Sequence, residues 1–218
     1  MGSGTELVVR RMVSTDADEV ASLHLQAFEG YFMSRLGAGF LRRYYRQLAI
    51  DKEAYGVLAL AKGRVVGFVV GFDVVSDFER RFFREHFVWL AWTVVTKSVT
   101  NAAVRTGLLQ RMLFFRRAIA ALFGRGQGAQ QQTQTLDLNV PDGAGARLNG
   151  IAVHPSCRGQ GVAERLQDAF FKLLKDRDVS WVGLSVKPEN KRAIAFYEKM
   201  GWERTRSTKA KVSFLHRL

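Results

Sequence analysis

The chain has 218 residues and a net charge of +13, from 33 Lys+Arg against 20 Asp+Glu. Hydrophobic residues make up 47% and charged residues 24%, a globular composition that excludes wholesale disorder and suits one domain of roughly 150–220 residues. The one cysteine, Cys157, excludes an internal disulfide framework and suits a reducing compartment, while the charge favours phosphates, nucleic acid or an anionic surface as partners.

Residues 1–6 lack a basic segment followed by an apolar run, so no signal peptide is expected. Leu7–Arg10 reads as a short strand. Thr15 or Asp16 can cap the helix that follows, and Asp16, Asp18 and Glu19 put negative charge in its first turn. Val20, Leu23 and Ala27 share one face of that helix, and a second runs from about Gly39 to Leu48 with Leu41, Tyr44, Tyr45 and Leu48 inward. Tyr55–Ala61 and Arg64–Val74 form a hairpin about Lys62-Gly63, where glycine supplies a positive φ.

The next stretch, 77–136, reads as a helical insertion. From His86 to Leu136 there is not one acid in 51 residues. Two apolar stripes fit helices: Phe83, Phe87, Leu90, Val94, and then Leu108, Met112, Phe115, Ile119, Leu122. Arg105, Arg116 and Arg117 fall away from the second stripe. The pair is either ordinary core padding or an amphipathic surface for an anionic lipid or substrate. Phe87–Val95 is the longest apolar run and is too short to span a membrane, which needs about 20 residues. Gly124–Thr135 is Gly/Gln-rich and reads as a flexible loop. After it come a strand at Leu148–Val153, a helix at Val162–Lys175 with Leu166, Phe170 and Leu173 inward, a strand at Val179–Val186, a helix at Asn190–Met200, and one or two strands in Trp202–Phe214. This order predicts an α/β fold, a mixed sheet covered by helices.

Chemistry concentrates where the strand ends. The run Ile151-Ala152-Val153-His154-Pro155 leads into Arg158-Gly159-Gln160-Gly161-Val162-Ala163 and a helix. Glycines at 159 and 161 leave loop N–H groups exposed, and the helix N-terminus adds partial positive charge, which makes a cradle for a pyrophosphate. The spacing is neither G-x-G-x-x-G nor a P-loop.

These residues resemble the GCN5-related N-acetyltransferase (GNAT) family. Ile151–Pro155 is similar to its central strand and exit, and Arg158–Ala163 to its Arg/Gln-x-x-Gly-x-Gly/Ala loop. Downstream, Asn190-x-x-Ala193-x-x-Phe196-Tyr197-x-x-x-Gly201-Trp202 is similar to its second signature. The likeness covers Leu148 to about Trp202. Thr15-x-Ala17-Asp18 and His24-x-x-x-Phe28 are compatible with the first half, and 77–136 departs from a minimal member.

The resemblance implies a single acetyltransferase domain over 1–218, with a mostly antiparallel central sheet and the insertion between its third and fourth strands. It implies acetyl-CoA as co-substrate and direct attack by a primary amine. Backbone groups of Ile151 and Val153 would bond the pantetheine, and Ala152 or Val153 would donate to the thioester carbonyl. The N–H groups of Arg158, Gly159, Gln160, Gly161, Val162 and Ala163 would hold the pyrophosphate. Asn190 would bond the pantetheine or phosphate arm. Tyr197 would protonate the departing thiolate, although alone it also fits a core aromatic beside Phe196. The central strand, Arg147-Leu148-Asn149-Gly150, carries no acid, so the base is sought in His24, Glu29 or His154. Each has a plainer reading: a buried helix residue, a solvated loop charge, a turn cap. Cys157 beside Arg158 admits covalent chemistry, but the family transfers directly. No metal is expected.

The expected activity is therefore transfer of acetyl to a small amine, with a phosphate-bearing amino sugar as one acceptor. The alternatives are protein N-terminal or lysine acetylation, and a non-catalytic acyl-CoA-binding or surface-attachment module. A cytoplasmic location is expected, with peripheral membrane contact through 77–136 and no nucleic-acid partner.

Overall fold

The computed structural model describes residues 7–86 and 141–218. The stripes beyond His86, Arg105, Arg116, Arg117 and the Gly124–Thr135 loop lie outside the described residues, and so does the membrane contact expected there.

Seven strands form one sheet in the order β1-β2-β3-β4-β5-β7-β6. They are β1 (Leu7–Arg11), β2 (Ala54–Ala61), β3 (Arg64–Asp73), β4 (Gly145–Val153), β5 (Trp181–Val186), β6 (Glu203–Ser207) and β7 (Val212–Arg217). Every neighbouring pair is antiparallel except β4–β5. The Trp202–Phe214 stretch thus yields two strands, and the second inserts between β5 and the first.

The helices are α1 (Ala17–Ala27), α2 (Phe32–Leu36), α3 (Ala38–Ile50), α4 (Phe78–Glu85), α5 (Val162–Lys175) and α6 (Lys191–Lys199). Strand alternation sends side chains to opposite faces. Phe68, Val70 and Phe72 of β3 pack with α1, α3 and α4, whereas Val69 packs with α5 and α6. Two cores result, one on each side of the sheet.

Local chemistry explains the boundaries. Asp16 does not cap α1: its carboxylate takes Val13 N–H at 2.8 Å and Arg10 at 2.7 and 2.8 Å, fastening the turn before the helix. Lys62 and Gly63 both have positive φ, 51° and 74°, as a two-residue hairpin turn requires. The short α2 has no apolar period to announce it and ends at Gly37, φ 89°. In α5 the deepest stripe is Val162, Leu166, Phe170, Leu174, a strict i, i+4 row. The expected Leu173 is only half-buried, because the row drifts round the helix by one position.

α4 opens the connection between β3 and β4. The Glu53 carboxylate accepts from Asp77 N–H at 3.0 Å and from the Ser76 hydroxyl at 2.9 Å, and Ser76 Oγ accepts from Phe78 N–H at 3.1 Å. Arg81 ties the helix to Asp51 and Glu53 at 2.9 Å each. These contacts supply the orphan N–H groups of the first turn. Phe78 and Phe82 are buried against Phe72, Tyr44 and Phe40. Among the described residues no helix is long and apolar enough to cross a membrane.

Candidate active site

β4 and β5 pair only through Gly145–Arg147 and Trp181–Gly183. Beyond these residues β4 runs on to Val153 and stays with β3, while β5 runs on to Val186 and stays with β7. The sheet therefore parts in its middle. At the apex of the gap β4 carries a bulge: Val70 pairs with Gly150 and Gly71 with Leu148, so Asn149 is the extra residue.

His154 N–H bonds Val66 O at 2.8 Å, on the β3 side. Alternation then turns the N–H groups of Ile151 and Val153 to the gap and that of Ala152 to β3. Of the two donors expected for a carbonyl oxygen, Val153 is the one whose N–H faces the opening. The Val153 carbonyl takes Arg158 Nε at 3.1 Å, which folds that side chain over the strand end.

The loop that follows turns on two glycines. Gly159 and Gly161 both have φ of 74°, and a Cβ at either would meet nothing within 4 Å. Gln160 Nε2 bonds Ser156 O at 3.0 Å and stiffens the turn. Gly161 precedes α5 without a side-chain cap, so the first-turn N–H groups of the helix point outward unclaimed by a capping side chain. His154 accepts from Ser156 N–H at 3.3 Å and caps the short turn Pro155–Cys157. Cys157 is half-buried against the α5–α6 core.

α6 lies on that same core. Asn190 caps it, its Oδ1 accepting Ala193 N–H at 3.1 Å; its amide NH₂ is left for other partners. Tyr197 is 5% exposed, with its ring held against Trp202 at 5.3 Å and Phe214 at 5.8 Å between centroids. Burial pushes its phenol above the usual tyrosine range.

Two of the three expected bases, His24 and Glu29, lie on the opposite face. His24 is buried over β3, its Nδ1 2.6 Å from the Tyr45 hydroxyl and its Nε2 without a partner. Desolvation lowers its pKa to about 4. Glu29 is exposed in the turn after α1. Nearby, Lys187 sits 4.7 Å over the Tyr31 ring, so the segment after α1 reaches the loop after β5. The structure thus separates the expected residues into an α5–α6 side (Ile151, Val153, Arg158–Ala163, Asn190, Tyr197) and an α1 side (His24, Glu29 and the side chain of Ala152).

His24 makes a measurable difference to stability. Its folded pKa is below its ordinary 6.5, so protonation favours the unfolded chain. The contribution is complete above that ordinary value and is lost as pH falls from 6.5 towards 4. Urea unfolding at pH 7 and pH 5 should show a loss of about 1–2 kcal/mol that is absent in His24→Phe. Equal slopes in the two proteins refute the buried neutral imidazole.

One acid on the α1 side was missed by sequence reasoning. Glu79 of α4 faces a cavity of about 30 Å³ bordered by Arg147 and Asn149 of β4. It stands one residue from the buried Phe78, and no sequence signal separates it from a solvated first-turn acid.

The acetyltransferase (GNAT) family model matches residues 122–202. A mycothiol acetyltransferase of Beutenbergia cavernae is 38% identical over 65 residues, which are 30% of this chain and 22% of that protein. The match thus spans less than a quarter of the curated relative's length. An aminoglycoside N-acetyltransferase, AAC(6')-Iy, solved with CoA, superposes with a TM-score of 0.60 at 15% identity over 95% of both chains. The ribosomal-protein-S18-alanine N-acetyltransferase of Escherichia coli gives 0.53 at 14% identity, covering 97% of this chain and 94% of that one. At such identity the likeness is one of fold, while the family model covers both the glycine loop and the Asn190–Trp202 segment. The match to the acetyltransferase (GNAT) family model over residues 122–202 falls on the half of the chain that carries the glycine loop and α6, and the fold likeness to solved N-acetyltransferases extends over nearly the whole chain.

Proposed function

We propose that this chain is an acetyl-CoA-dependent N-acetyltransferase that acetylates a primary amine of a small molecule by direct attack. The observation that carries the reading is the parting of β4 and β5, with the uncapped N-terminus of α5 at its mouth. Acetyl-CoA supplies an acetyl group activated as a thioester. Gly159, Gln160, Gly161, Val162 and Ala163 present backbone N–H groups to its pyrophosphate, and Arg158 adds charge beside them. Ile151 and Val153 offer the edge of β4 to amide groups of the pantetheine, with Ala152 completing the strand. Asn190 has amide hydrogens to donate from the start of α6. Tyr197 stays protonated at neutral pH, so it can give a proton to the departing sulfur and cannot act as a base.

Of the bases expected from sequence, His24 is neutral and its depressed pKa makes it a weak acceptor, while Glu29 is solvated. A small acceptor agrees with the likeness to a mycothiol acetyltransferase; a phosphate-bearing amino sugar agrees with the net charge of +13. We place the activity in the cytoplasm.

The loop assignment is tested with a matched pair, Gly161→Asn and Gly161→Asp. Both side chains tolerate the left-handed backbone better than most, so the pair isolates charge. Calorimetry should show acetyl-CoA bound about tenfold or more weakly by the Asp variant than by the Asn variant, a difference of about 1.4 kcal/mol. Equal affinities overturn the pyrophosphate site.

A further inference from the structure

The bulge in β4 gives the sheet two neighbouring sites on its α1 face. One is the His24–Phe28 cluster, where Phe28 approaches Gly150. The other is the small cavity between α4 and β4, bordered by Asp73, Ser76, Phe78, Glu79, Arg147 and Asn149. Asn149 is itself the bulged residue, so this cavity abuts the apex where β4 and β5 separate. A volume of about 30 Å³ accommodates one or two waters.

Resting on the transferase reading above, we propose that Glu79 is the general base of the reaction, taking the proton of the acceptor's ammonium group directly or through a water in this cavity. Three observations converge on it. Glu79 shares the cavity with β4 at the residue where the gap begins. It is anchored there: α4 is fastened at its start by Glu53 and Ser76 and along its length by Arg81. And the strand itself offers no acid, which leaves a gap in the chemistry that a carboxylate from the next element fills.

The charged surroundings suit the role. Burial raises the Glu79 pKa above the ordinary glutamate value, which makes its carboxylate a stronger proton acceptor. Arg147, from β4, acts in the opposite sense and keeps the ionised form accessible. Tyr44 of α3 feels the Glu79 charge, and Asp73 of β3 borders the same cavity. Arg80 and Asp77 flank it on α4 and pair with each other at 3.7 Å.

The step balances. Glu79 takes one proton from R–NH₃⁺ and later releases it to solvent. The amine lone pair forms the C–N bond to the acetyl carbon as the C–S bond breaks. Tyr197 protonates the sulfur, and the second nitrogen proton, lost through solvent, restores the phenol. The net change is R–NH₃⁺ plus acetyl thioester giving amide, thiol and one proton.

The test compares the parent with Glu79→Gln and Glu79→Asp across pH 5.5–10. The amines are glucosamine, glucosamine 6-phosphate, ethanolamine and an alanine-terminated peptide, and the reaction is followed by thiol release. In the parent, kcat/KM should reach a plateau once Glu79 is ionised. In Glu79→Gln it should fall by about 10²–10³-fold at neutral pH and recover towards the parent as pH approaches the amine's own pKa, because free amine then needs no base. Glu79→Asp should keep the acid limb with a lower plateau. Acetyl-CoA affinity by calorimetry should be the same in all three. Independently, a carboxyl-carbon NMR titration of the unliganded parent should show one glutamate titrating above the ordinary range, missing in Glu79→Gln. A Glu79→Gln profile parallel to the parent's, or no raised carboxyl in the titration, overturns the base and leaves the transferase standing. A parent that binds acetyl-CoA and acetylates none of the four amines overturns the transferase reading, and the base with it.

Discussion

Replacing Tyr197 by Phe is expected to lower kcat by about 10²–10⁴-fold and to leave acetyl-CoA affinity within about threefold. A thiolate is a moderate leaving group, with a conjugate acid near pKa 8.5, so a positioned proton donor lowers the barrier to C–S cleavage without contributing to binding. On the proposed function Tyr197 is that donor. Its ring is gripped by Phe196, Trp202 and Phe214, so removal of one oxygen leaves the packing intact. Burial holds the phenol protonated, and the alkaline limb of kcat should therefore not fall in the ordinary tyrosine range. A core role alone predicts something different: Tyr197→Phe would then turn over at the parental rate and unfold at the parental temperature. Burst kinetics with a slow acceptor separate the chemical step from product release. An unchanged single-turnover rate would return Tyr197 to the core and move the donor role to solvent.

The local geometry of the glycine loop and of α6 was legible in the sequence because it is set within a few residues. Arg158–Ala163 and Asn190–Trp202 are short segments whose glycines, cap and aromatic pair make their geometry almost independent of the rest of the chain. The hairpin Tyr55–Ala61/Arg64–Val74 was legible for the same reason, since Lys62-Gly63 fixes the register within two residues. Helix α3 followed from its stripe, to which the structure adds Phe40. The Glu79 cavity was not legible. Glu79 and Asn149 are seventy positions apart in sequence and meet only because β3 and β4 pair across the connection that holds α4. Nothing in the pattern around Glu79 distinguishes it from a solvated first-turn acid until Arg147 is known to lie opposite. The bulge at Asn149 was invisible too: Leu148-Asn149-Gly150 alternates poorly, and only the pairing of Val70 with Gly150 and Gly71 with Leu148 reveals the extra residue. His24 shows the converse. Its residue type suggested a base, but the aromatic cluster of Phe28, Tyr45 and Phe68 around it makes a neutral imidazole the stable form.

Gly71→Ala should be among the most destabilising single-methyl additions in the protein. Gly71 lies in β3 directly beneath α5, opposite the bulge. A Cβ there would stand 2.5 Å from the Arg147 carbonyl oxygen and 2.7 Å from Phe170 Cζ. Neither neighbour has room to yield. The carbonyl belongs to β4, which is held by its pairing with β3, and Phe170 is fully buried with its ring against Tyr55. Overpacking of a core commonly costs about 1–3 kcal/mol, and a clash with backbone on one side and a pinned ring on the other places this case at the upper end. At about 2–4 °C per kcal/mol for a chain of this size, thermal unfolding should move down by roughly 6–12 °C for a cost of about 3 kcal/mol. The two obstacles can be told apart with Phe170→Leu. If the ring is the main one, adding Gly71→Ala to Phe170→Leu should cost little more than Phe170→Leu alone. If the spacing of β3 and β4 is the main one, the two changes should add in full. The strand-spacing outcome carries a functional consequence, because a displaced Arg147 carbonyl moves the bulge that borders the Glu79 cavity. Gly71→Ala would then lose turnover at temperatures where it remains folded, with acetyl-CoA affinity retained at the distant glycine loop. A midpoint within 2 °C of the parent's would show that β4 shifts freely at the bulge, and would remove the rigidity on which the placement of Asn149 and Arg147 depends.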